Sequence, residues 1–460
     1  MECYLFVDFG STNTKLTLID IEKEEIVATA KSYTTVETDI MIGFDKALET
    51  IKEKAGEDFE IVEKLACSSA AGGLKMIAIG LVEELTAEAA KRAALGAGAK
   101  VIKTYNQKLN NLELEEIKNT NLDIILLAGG TDGGNEEVII HNAEMLKNID
   151  APIVVAGNKS AVDKISKVLE GRDFYIAENV MPKINVLNVE SARDTIREIF
   201  MTNIVKARGM QRVLEEISEI VMPTPAAVLK AAEVLSLGTE DEDGLGDIAV
   251  VDIGGATTDV HTACSGDPTK AGVYLRGLEE PFAKRTVEGD LGMRYSIEAA
   301  VEVAGKRMLK SYLGDKYEYD ILEEASSRYL NPSFIAENER DLNYDTAVAK
   351  ALTRISVTRH AGQTKEVYSP VGAIFQQTGK DLTELPVVIG TGGILVFNPN
   401  PIEILKEACF NMEEPESLKP KNPKFFLDKE YILSSMGLLS CLDKDMAVRM
   451  MKKYLVKLGE

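Results

Sequence analysis

The chain has little cysteine, and its cysteines show no pattern that a disulfide framework or a metal site needs. There are five, widely separated and odd in number, with no CxxC pair: Cys3, Cys67, Cys264, Cys409 and Cys441. Disulfide-stapled domains show paired cysteines at short spacings. The sequence therefore predicts reduced thiols and a reducing compartment, which we expect to be the cytoplasm.

Histidine, basic charge and long apolar runs are scarce as well. The three histidines, His141, His261 and His360, show no zinc-ligand spacing. Acidic residues outnumber basic ones by 74 to 52, which gives a net charge of −22 and argues against a nucleic-acid surface or docking on an anionic membrane. Apolar stretches such as residues 124–128 are far shorter than a membrane span. No basic leader precedes the first predicted strand.

The apolar content is sufficient for more than one domain. Of the 460 residues 45% are hydrophobic, which predicts a sizeable core and two or three domains. Predicted strands and helices alternate along both halves, as is typical of the α/β class. Each half opens with a strand, a turn and a second strand, so we expect mixed sheets instead of purely parallel ones.

Two glycine-rich turns carry most of the functional information. One is DFGSTNTK at residues 8–15 and the other is DIGGATTD at residues 252–259. Each joins two apolar strands and has an aspartate, then glycine, then hydroxyl residues. One such turn alone also fits an ordinary hairpin with a capping aspartate. Two turns of one design predict a phosphate group bound by two related domains, with ATP as the ligand.

The residue types in these turns suit phosphate chemistry. Glycine lets backbone N–H groups approach a ligand without a Cβ in the way, and successive N–H groups in a turn form a concave anion site. The aspartates end their strands, where carboxylates suit Mg²⁺, an ion that keeps most of its waters and takes one or two protein ligands.

A third glycine run follows a predicted strand at residues 386–389. It reads GTGG at residues 390–393 and precedes a predicted helix. Backbone without side chains can lie flat against a nucleobase or ribose, and a helix N-terminus offers N–H groups. Tight packing of a helix on a strand explains such a run equally well, since GxGxxG spacing is missing. The chain also has no GxxxxGK[ST] motif, which argues against a P-loop NTPase.

Several other segments have predicted structures. A buried strand is expected at residues 123–128, running into GGTDGGN at residues 129–135. The polar residues 315–343 are interpreted as an inserted subdomain. It serves either as a surface that contacts a partner protein or simply as packing. A short strand is predicted at residues 431–433, followed by a terminal helix from residue 434.

In this order, the three turns resemble the phosphate-1, phosphate-2 and adenosine motifs of the actin, sugar kinase and Hsp70 ATPase superfamily. The resemblance implies two ribonuclease-H-like domains that close on Mg-ATP, with connecting segments at residues 123–135 and 434–439. We expect the first domain at residues 1–240 and the second at 241–433, with a helical insertion near 296–360. Residues 434–460 are expected to form a C-terminal connecting helix.

A narrower resemblance lies in LLAGGTDGGN (residues 126–135), VVAGNK (154–159), the second turn and VIGTGGIL (388–395). Together these resemble the MutL family associated with glutamate mutase. The resemblance implies an ATPase that reactivates an adenosylcobalamin-dependent mutase, with that mutase as its protein client. The reactivating role rests on the resemblance alone.

The motifs imply roles for particular residues. The implied nucleotide-binding residues are Gly10, Ser11, Thr12, Asn13 and Lys15 from one side, Gly254, Gly255, Ala256, Thr257 and Thr258 from the other, and Gly390, Thr391, Gly392 and Gly393 around the adenosine. The implied metal ligands are Asp8, Asp252 and Asp259, and a structural role fits Asp259 equally well. Hydrolysis needs a group that orients the attacking water. Our first choice for this group is Asp132, and our second choice is Asp252. An aspartate in a glycine-rich turn also serves as a turn former.

Alternative functions remain open at this point. A small-molecule kinase of the same superfamily would need a substrate pocket that the sequence does not identify. An activator ATPase of a 2-hydroxyacyl-CoA dehydratase would carry an iron–sulfur cluster, against which the scattered cysteines argue. A binding module without turnover is the third alternative. The sequence leaves open the identity of the client, direct contact with cobalamin, and the oligomeric state.

Overall fold

The computed structural model describes residues 1–10, 13–35, 39–56, 58–69, 74–205, 216–369 and 372–459. The chain forms two compact units. The first comprises Met1–Val228 and Gly277–Glu279, and the second comprises Leu229–Arg276 and Glu280–Glu460.

The first unit contains two five-stranded sheets and the helices that cover them. Its strands are β1 (Glu2–Phe9), β2 (Asn13–Asp20), β3 (Glu25–Tyr33), β4 (Glu60–Ser68), β5 (Lys75–Gly80), β6 (Lys100–Asn106), β7 (Ile124–Leu127), β8 (Ile153–Val155), β9 (Phe174–Ile176) and β10 (Glu219–Pro223). Its helices are α1 (Ile40–Ala55), α2 (Glu88–Gly96), α3 (Asn111–Asn119), α4 (Glu137–Leu146), α5 (Val162–Val168) and α6 (Glu190–Val205). Helix α7 (Thr224–Leu237) begins in the first unit and ends in the second.

The second unit has a six-stranded sheet, a small three-stranded sheet and a helical layer. Its strands are β11 (Ile248–Ile253), β12 (Thr258–Ala263), β13 (Val273–Leu275), β14 (Ala283–Glu288), β15 (Gln363–Ser369), β16 (Gly372–Thr378), β17 (Val387–Thr391), β18 (Lys424–Leu427) and β19 (Val456–Leu458). Its helices are α8 (Ile297–Leu313), α9 (Ile321–Leu330), α10 (Glu339–His360), α11 (Gly393–Phe397), α12 (Pro401–Leu405), α13 (Leu433–Leu442) and α14 (Lys444–Tyr454).

The two sheets that begin with the predicted hairpins have the same strand order. In the first unit the order is β3-β2-β1-β4-β10; the β3–β2 and β2–β1 pairs are antiparallel, whereas the β1–β4 and β4–β10 pairs are parallel. In the second unit β14-β12-β11-β17-β18 repeats this order and these directions, and antiparallel β19 extends the edge. The predicted α/β class with mixed sheets is confirmed, and the repeated order is what a pair of related domains requires.

Strand β1 shows why the first of these sheets forms. Alternate side chains from Cys3 to Phe9 are buried in the main core of the unit, where Phe44 of α1 also lies. Apolar residues at a spacing of two are what a strand with one face on a core needs. Helix α1 begins where the carboxylate of Asp39 accepts a hydrogen bond from the N–H of Met41 at 2.9 Å.

A purely parallel sheet lies between β4 and β10 along the chain. Its order is β6-β5-β7-β8-β9. Strand β7 explains its burial on both faces: Ile124 and Leu126 lie in the main core, whereas Ile125 and Leu127 lie in a second core. Nearly continuous apolar strands of this kind are typical of parallel sheets covered by helices on both faces. The sequence predicted its strands but not that they form a separate sheet inserted into the first.

The helical layer of the second unit occupies the region of the predicted insertion. Helices α8, α9 and α10 contribute to one core with the six-stranded sheet. Residues 315–343, predicted as a polar insertion, contain α9.

Two predictions near the C-terminal end need correction. Residues 431–433 are not a strand: Tyr431 has a φ of 56° and helix α13 begins at Leu433. The single helix predicted for residues 434–460 is instead α13, α14 and β19, because Asp443 adopts extended backbone and caps α14. The segment at residues 123–135, expected as the first connecting segment of the first domain, lies inside the first unit, and α7 is the helix in which the chain passes to the second.

Within the described residues no helix is both long enough and apolar enough to cross a membrane.

Candidate functional site

The first predicted turn is a tight hairpin between β1 and β2. The N–H of Gly10 donates to the carbonyl oxygen of Asn13 at 3.1 Å, and a Cβ on Gly10 would lie 2.6 Å from that same oxygen. Only glycine fits at this position without moving the backbone. Ser11 and Thr12, at the tip of the predicted phosphate loop, lie outside the described residues.

The second predicted turn repeats this geometry between β11 and β12. The N–H of Gly254 donates to the carbonyl oxygen of Thr257 at 2.9 Å, and a Cβ on Gly254 would lie 3.0 Å from that oxygen. The two turns therefore share one hydrogen-bonded frame, with each glycine two residues after a strand-end aspartate.

The tip of the second turn presents donors and has its acceptors occupied. The carbonyl groups of Gly254, Gly255 and Ala256 all accept hydrogen bonds, which come from the N–H groups of Met293, Arg294 and Tyr295 and from the hydroxyl of Ser296. Within the described part of the chain, the N–H groups of Gly255, Ala256 and Thr257 have no acceptor. These half-buried donors are available to an anion.

Asp8, at the end of β1, is buried and already has protein partners. Its Oδ1 accepts from the hydroxyl of Thr224 at 2.6 Å and from the thiol of Cys67 at 3.7 Å. Burial is the main cause that raises the pKa of Cys67 well above its usual value, and the charge of Asp8 raises it further. The thiol therefore stays protonated and can donate. Lys15 pairs with Asp8 across the hairpin, its Nζ 3.9 Å from Oδ2.

The matching position in the second hairpin carries the opposite charge. Asp259 pairs with Asp252 across β11 and β12, where the first hairpin has Lys15 opposite Asp8. Arg285 of β14 binds Asp259 through Nε at 2.9 Å and Nη2 at 2.7 Å, and both side chains are buried. The hydroxyl of Thr257 also donates to Asp259, at 3.0 Å. Asp259 is thus held in an ion pair and, through the hydroxyl of Thr257, also fixes the end of the second turn.

The third glycine run is attached directly to the second hairpin. Gly392, with a φ of 104°, packs so closely that a Cβ would lie 2.3 Å from the carbonyl oxygen of Ile253. Gly390 packs against Leu405 and Leu395, at 2.8 and 2.9 Å from an added Cβ. These two glycines therefore serve close packing, whereas Gly393 is exposed at the start of α11.

Thr391 and Asp428 organise the neighbouring chain. Thr391 pairs with Asp252 across β11 and β17 and donates its hydroxyl to Asp428 at 3.1 Å. Asp428 in turn accepts from the N–H groups of Ile432 and Leu433 at 2.9 and 3.2 Å, which caps the start of α13.

Sequence reasoning missed two aromatic residues beside this run. The hydroxyl of Tyr431 lies 3.6 Å from where a Cβ of Gly393 would be, and its ring centroid is 6.5 Å from that of Phe397. Burial raises the pKa of Tyr431, and the charges of Asp252 and Asp428 add to the effect. Phe397 is 69% exposed. No motif in the sequence indicates either residue, since both depend on how the chain returns to the loop.

Asp132, the predicted catalytic residue, lies in the loop after β7 of the parallel sheet. Its Oδ1 accepts from the side chain of Asn179 at 2.9 Å and from the N–H of Lys159 at 3.1 Å. The ammonium of Lys159 is 3.9 Å from Oδ2. All of these described contacts are within the loops of the parallel sheet.

Magnesium, which the superfamily motifs imply, fits the donors present. No group of three or more histidine, cysteine or acidic side chains that could hold a metal occurs among the described residues. Mg²⁺ is usually held by one or two carboxylates together with substrate phosphates. The half-buried Asp252, at the end of β11, is a suitable carboxylate for an ion that arrives with a nucleotide.

A family model and a relative of known sequence both match almost the whole chain. The family model described as MutL protein matches residues 4–455. Protein MutL of Clostridium tetanomorphum is 58% identical over 462 residues, covering 99% of this chain and 100% of that protein.

Solved structures show only distant overall similarity. An acetone carboxylase in its nucleotide-free form is 13% identical with a TM-score of 0.44, over 95% of this chain and 70% of that chain. The activator of 2-hydroxyisocaproyl-CoA dehydratase from Clostridium difficile, with bound ADPNP, is 12% identical with a TM-score of 0.32, over 100% and 99%. A glycerol dehydratase reactivase is 10% identical with a TM-score of 0.34, over 95% and 99%. From the near-complete family match and the close relative, the chain belongs to the MutL protein family.

Proposed function

We propose that this protein is an ATP-binding and ATP-hydrolysing factor that reactivates an adenosylcobalamin-dependent mutase, with glutamate mutase as the first client to test. The observation that carries the ATP part is the pair of hairpins with one hydrogen-bonded frame, at Gly10 and Gly254. Membership in the MutL family and the resemblance of its motifs support the mutase as client. We propose the cytoplasm as its compartment.

The hairpin loops are proposed to bind the phosphates. The N–H groups of residues 255–257, which have no acceptor among the described residues, supply donors whose geometry is fixed before the ligand arrives, so binding costs little conformational entropy. The proposed phosphate-binding residues are Gly10, Ser11, Thr12, Asn13, Lys15, Gly254, Gly255, Ala256, Thr257 and Thr258. The run at residues 390–393 is proposed to bind the adenosine, with Gly393 as the position of closest approach.

The carboxylates are proposed to divide into two kinds. Asp252 is half-buried and is our choice for the residue that orders the metal's waters or the attacking water. Asp8 and Asp259 remain proposed metal ligands, and each also accepts hydrogen bonds from side chains that support a hairpin. When bound, Mg²⁺ would neutralise part of the phosphate charge.

Asp132 remains a proposed water-orienting residue with a weaker case than Asp252. Its carboxylate accepts two N–H donors inside the loops of the parallel sheet. A general base needs a lone pair within reach of the water that it activates. These contacts engage Oδ1, and Oδ2 lies 3.9 Å from the ammonium of Lys159, so a water would compete with existing contacts at both oxygens.

ATP turnover by the purified protein tests this proposal. We would measure phosphate release with and without Mg²⁺, first with the protein alone and then with inactivated glutamate mutase and fresh adenosylcobalamin. Asp252→Ala is expected to reduce turnover by about 10²-fold, the scale of losing one electrostatic contact to the transition state. Asp267→Ala, at an exposed position after β12, is the matched control and should retain turnover.

The outcomes separate the activities. Phosphate release that needs Mg²⁺, with mutase activity restored only when ATP is present, supports the proposal. Turnover that appears only with a small alcohol or acid would indicate a kinase. Normal turnover in Asp252→Ala would remove this residue from the site, and no binding of ATP would overturn the phosphate assignment of both loops.

A further inference from the structure

The inserted parallel sheet has the strand order of a ligand-binding α/β domain. Its order is β6-β5-β7-β8-β9, so the chain moves to one side of β5 for β6 and to the other side for β7. After β5 the chain enters α2, whose alanines lie in the main core, and after β7 it enters α4, which lies in the second core. The two connections therefore leave on opposite faces of the sheet. In open α/β sheets a crevice forms at this reversal, at the carboxyl ends of the strands, and ligands bind there.

The loop at this reversal is held by two asparagines from neighbouring loops. The buried Asn158, after β8, accepts from the N–H of Gly133 at 3.0 Å and donates to the carbonyl groups of Gly134 and Asn135. The buried Asn179, after β9, donates to the carbonyl oxygen of Gly130 at 3.0 Å. Three consecutive carboxyl-end loops are thus fixed to one another.

The start of this loop uses its carbonyl groups but not its N–H groups. The carbonyls of Gly129, Gly130 and Thr131 accept from the N–H of Asn158, the amide of Asn179 and the N–H of Gly134. Across the described residues, no acceptor is found for the N–H groups of Gly129, Gly130 and Thr131. Gly129 and Gly130 are buried. More than nine in ten buried backbone N–H groups are paired, so three neighbouring donors without an acceptor among the described residues, two of them in buried residues, favour a bound ligand as the acceptor.

The same arrangement occurs at the tip of the second hairpin. There too, three carbonyl groups are occupied while the N–H groups of Gly255, Ala256 and Thr257 have no acceptor within the described part of the chain. Two loops in different sheets of the molecule therefore present donors in the same way. A ligand group with several acceptor oxygens satisfies three neighbouring donors at once, and phosphate is the common group of this kind.

We propose that the loop at residues 129–135 is a second phosphate-binding site, which takes the phosphate group of a small molecule at the switch point of the parallel sheet. The donors of this site belong to residues other than those of the two hairpins, so phosphate binding here does not require that the hairpins bind ATP. Asn158 and Asn179 are positioning residues, because each holds the loop through its carbonyl groups. Asp132, which Asn179 also binds, is a brace of the same loop.

Amide hydrogen exchange with mass-spectrometric readout tests this site in the full-length protein. The probe is inorganic phosphate, compared with sodium chloride at equal ionic strength and with succinate as a carboxylate. Phosphate is expected to slow exchange several-fold in peptides that cover residues 129–131. Peptides that cover residues 255–257 report on the proposed ATP loop in the same sample, so failure of one site is distinguished from failure of the other.

Two asparagine variants complete the test. Asn179→Ala should abolish the protection by phosphate at residues 129–131 while leaving that at residues 255–257 unchanged. Asn188→Ala is the matched control. Among the described residues the side chain of Asn188 binds the exposed Glu178, so this variant should leave both responses intact. Thermal unfolding of each variant shows whether it is folded, and the wild-type titration stands without them. No change at residues 129–131 with phosphate would overturn the proposal, as would protection by succinate alone.

Discussion

The hydroxyl of Thr224 donates to the carboxylate of Asp8 at 2.6 Å, although 216 positions separate the two residues. Thr224 is the first residue of α7, the helix in which the chain passes from the first unit to the second. Asp8 ends β1 at the first hairpin. The aspartate of the first hairpin is therefore linked directly to the start of the connecting helix.

Thr224→Val tests this link. The substitution keeps the shape of the side chain but leaves a buried carboxylate oxygen without its strongest described donor. Hydrogen bonds to charged groups contribute about 1.5–3 kcal/mol, so we expect the free energy of unfolding to fall by that amount in a denaturant titration. Thr224→Ser keeps the hydroxyl, so its free energy of unfolding should stay within about 1 kcal/mol of the wild-type value, as is usual for substitutions that remove no buried contact. Equal midpoints for the valine and serine variants would show that the contact contributes nothing.

The ion pair of Arg285 and Asp259 leads to a second prediction. Both side chains are buried, so Arg285→Met leaves an uncompensated carboxylate beneath the second hairpin. Breaking one partner of a buried pair costs about 3–5 kcal/mol, which we expect as a loss of unfolding free energy. Adding Asp259→Asn to Arg285→Met should recover part of that loss.

The single variant Asp259→Asn tests the proposed metal role of Asp259. If Asp259 were a metal ligand, Asp259→Asn alone would weaken the dependence of ATP binding on Mg²⁺. If it serves the ion pair, the dependence should be unchanged while stability falls. Titration of ATP at several Mg²⁺ concentrations measures this difference directly.

The hairpins were predictable from sequence, and their supports were not. Short-range chemistry determines a turn such as that at Gly10, because the backbone leaves no space for a Cβ there. Thr224 and Arg285 reach their carboxylates from distant parts of the chain, and no local pattern encodes those contacts.

Alternation of strands and helices likewise indicates the α/β class without revealing which strands share a sheet. This is why the sequence does not indicate that β5 to β9 form a sheet of their own. Tyr431 was assigned to a strand because its neighbours are apolar. Its positive φ and the capping of α13 by Asp428 depend on tertiary contacts that such a pattern does not record.

Acid is expected to destabilise the second unit through a buried histidine. Burial lowers the pKa of His261 to about 3, and its Nδ1 has no partner among the described residues. Between pH 6.5, the usual histidine value, and about 3, the unfolded chain binds a proton that the folded chain does not. This contribution to stability is complete above pH 6.5 and falls by about 1.4 kcal/mol per pH unit as the pH is lowered through that window.

Denaturant titrations of wild type and His261→Leu between pH 7 and 4 would measure this term. In the variant the free energy of unfolding should fall less steeply as the pH is lowered. The difference in slope should correspond to about one proton fewer taken up on unfolding. His360, whose pKa burial also lowers, would still contribute in both proteins. Identical slopes would mean that His261 is not responsible for the acid sensitivity.

Phe397 and Tyr431 are expected to contact the base of the nucleotide if the proposed adenosine run is correct. Phe397 is exposed, lies at the end of the short helix that follows Gly393, and has its ring beside that of Tyr431. Stacking of a base on an aromatic side chain contributes about 1–3 kcal/mol. Because the chain has no tryptophan, Phe397→Trp places a single indole fluorophore at this position. We expect its emission to change on addition of Mg-ATP and to stay constant with Mg-tripolyphosphate, which has the phosphates without the base.

Phe375→Trp is the matched control, since Phe375 is also exposed but lies on β16 of the small sheet. Its emission should respond to neither ligand. A response of Phe397→Trp to tripolyphosphate as strong as its response to ATP would indicate a general movement of the unit and contradict stacking. No response to either ligand, in a sample whose ATP binding is confirmed by equilibrium dialysis, would place the base elsewhere. In that case Gly393 would serve only to start α11. An exposed glycine at this position helps a planar base to bind only if the base also stacks on the aromatic pair beside it.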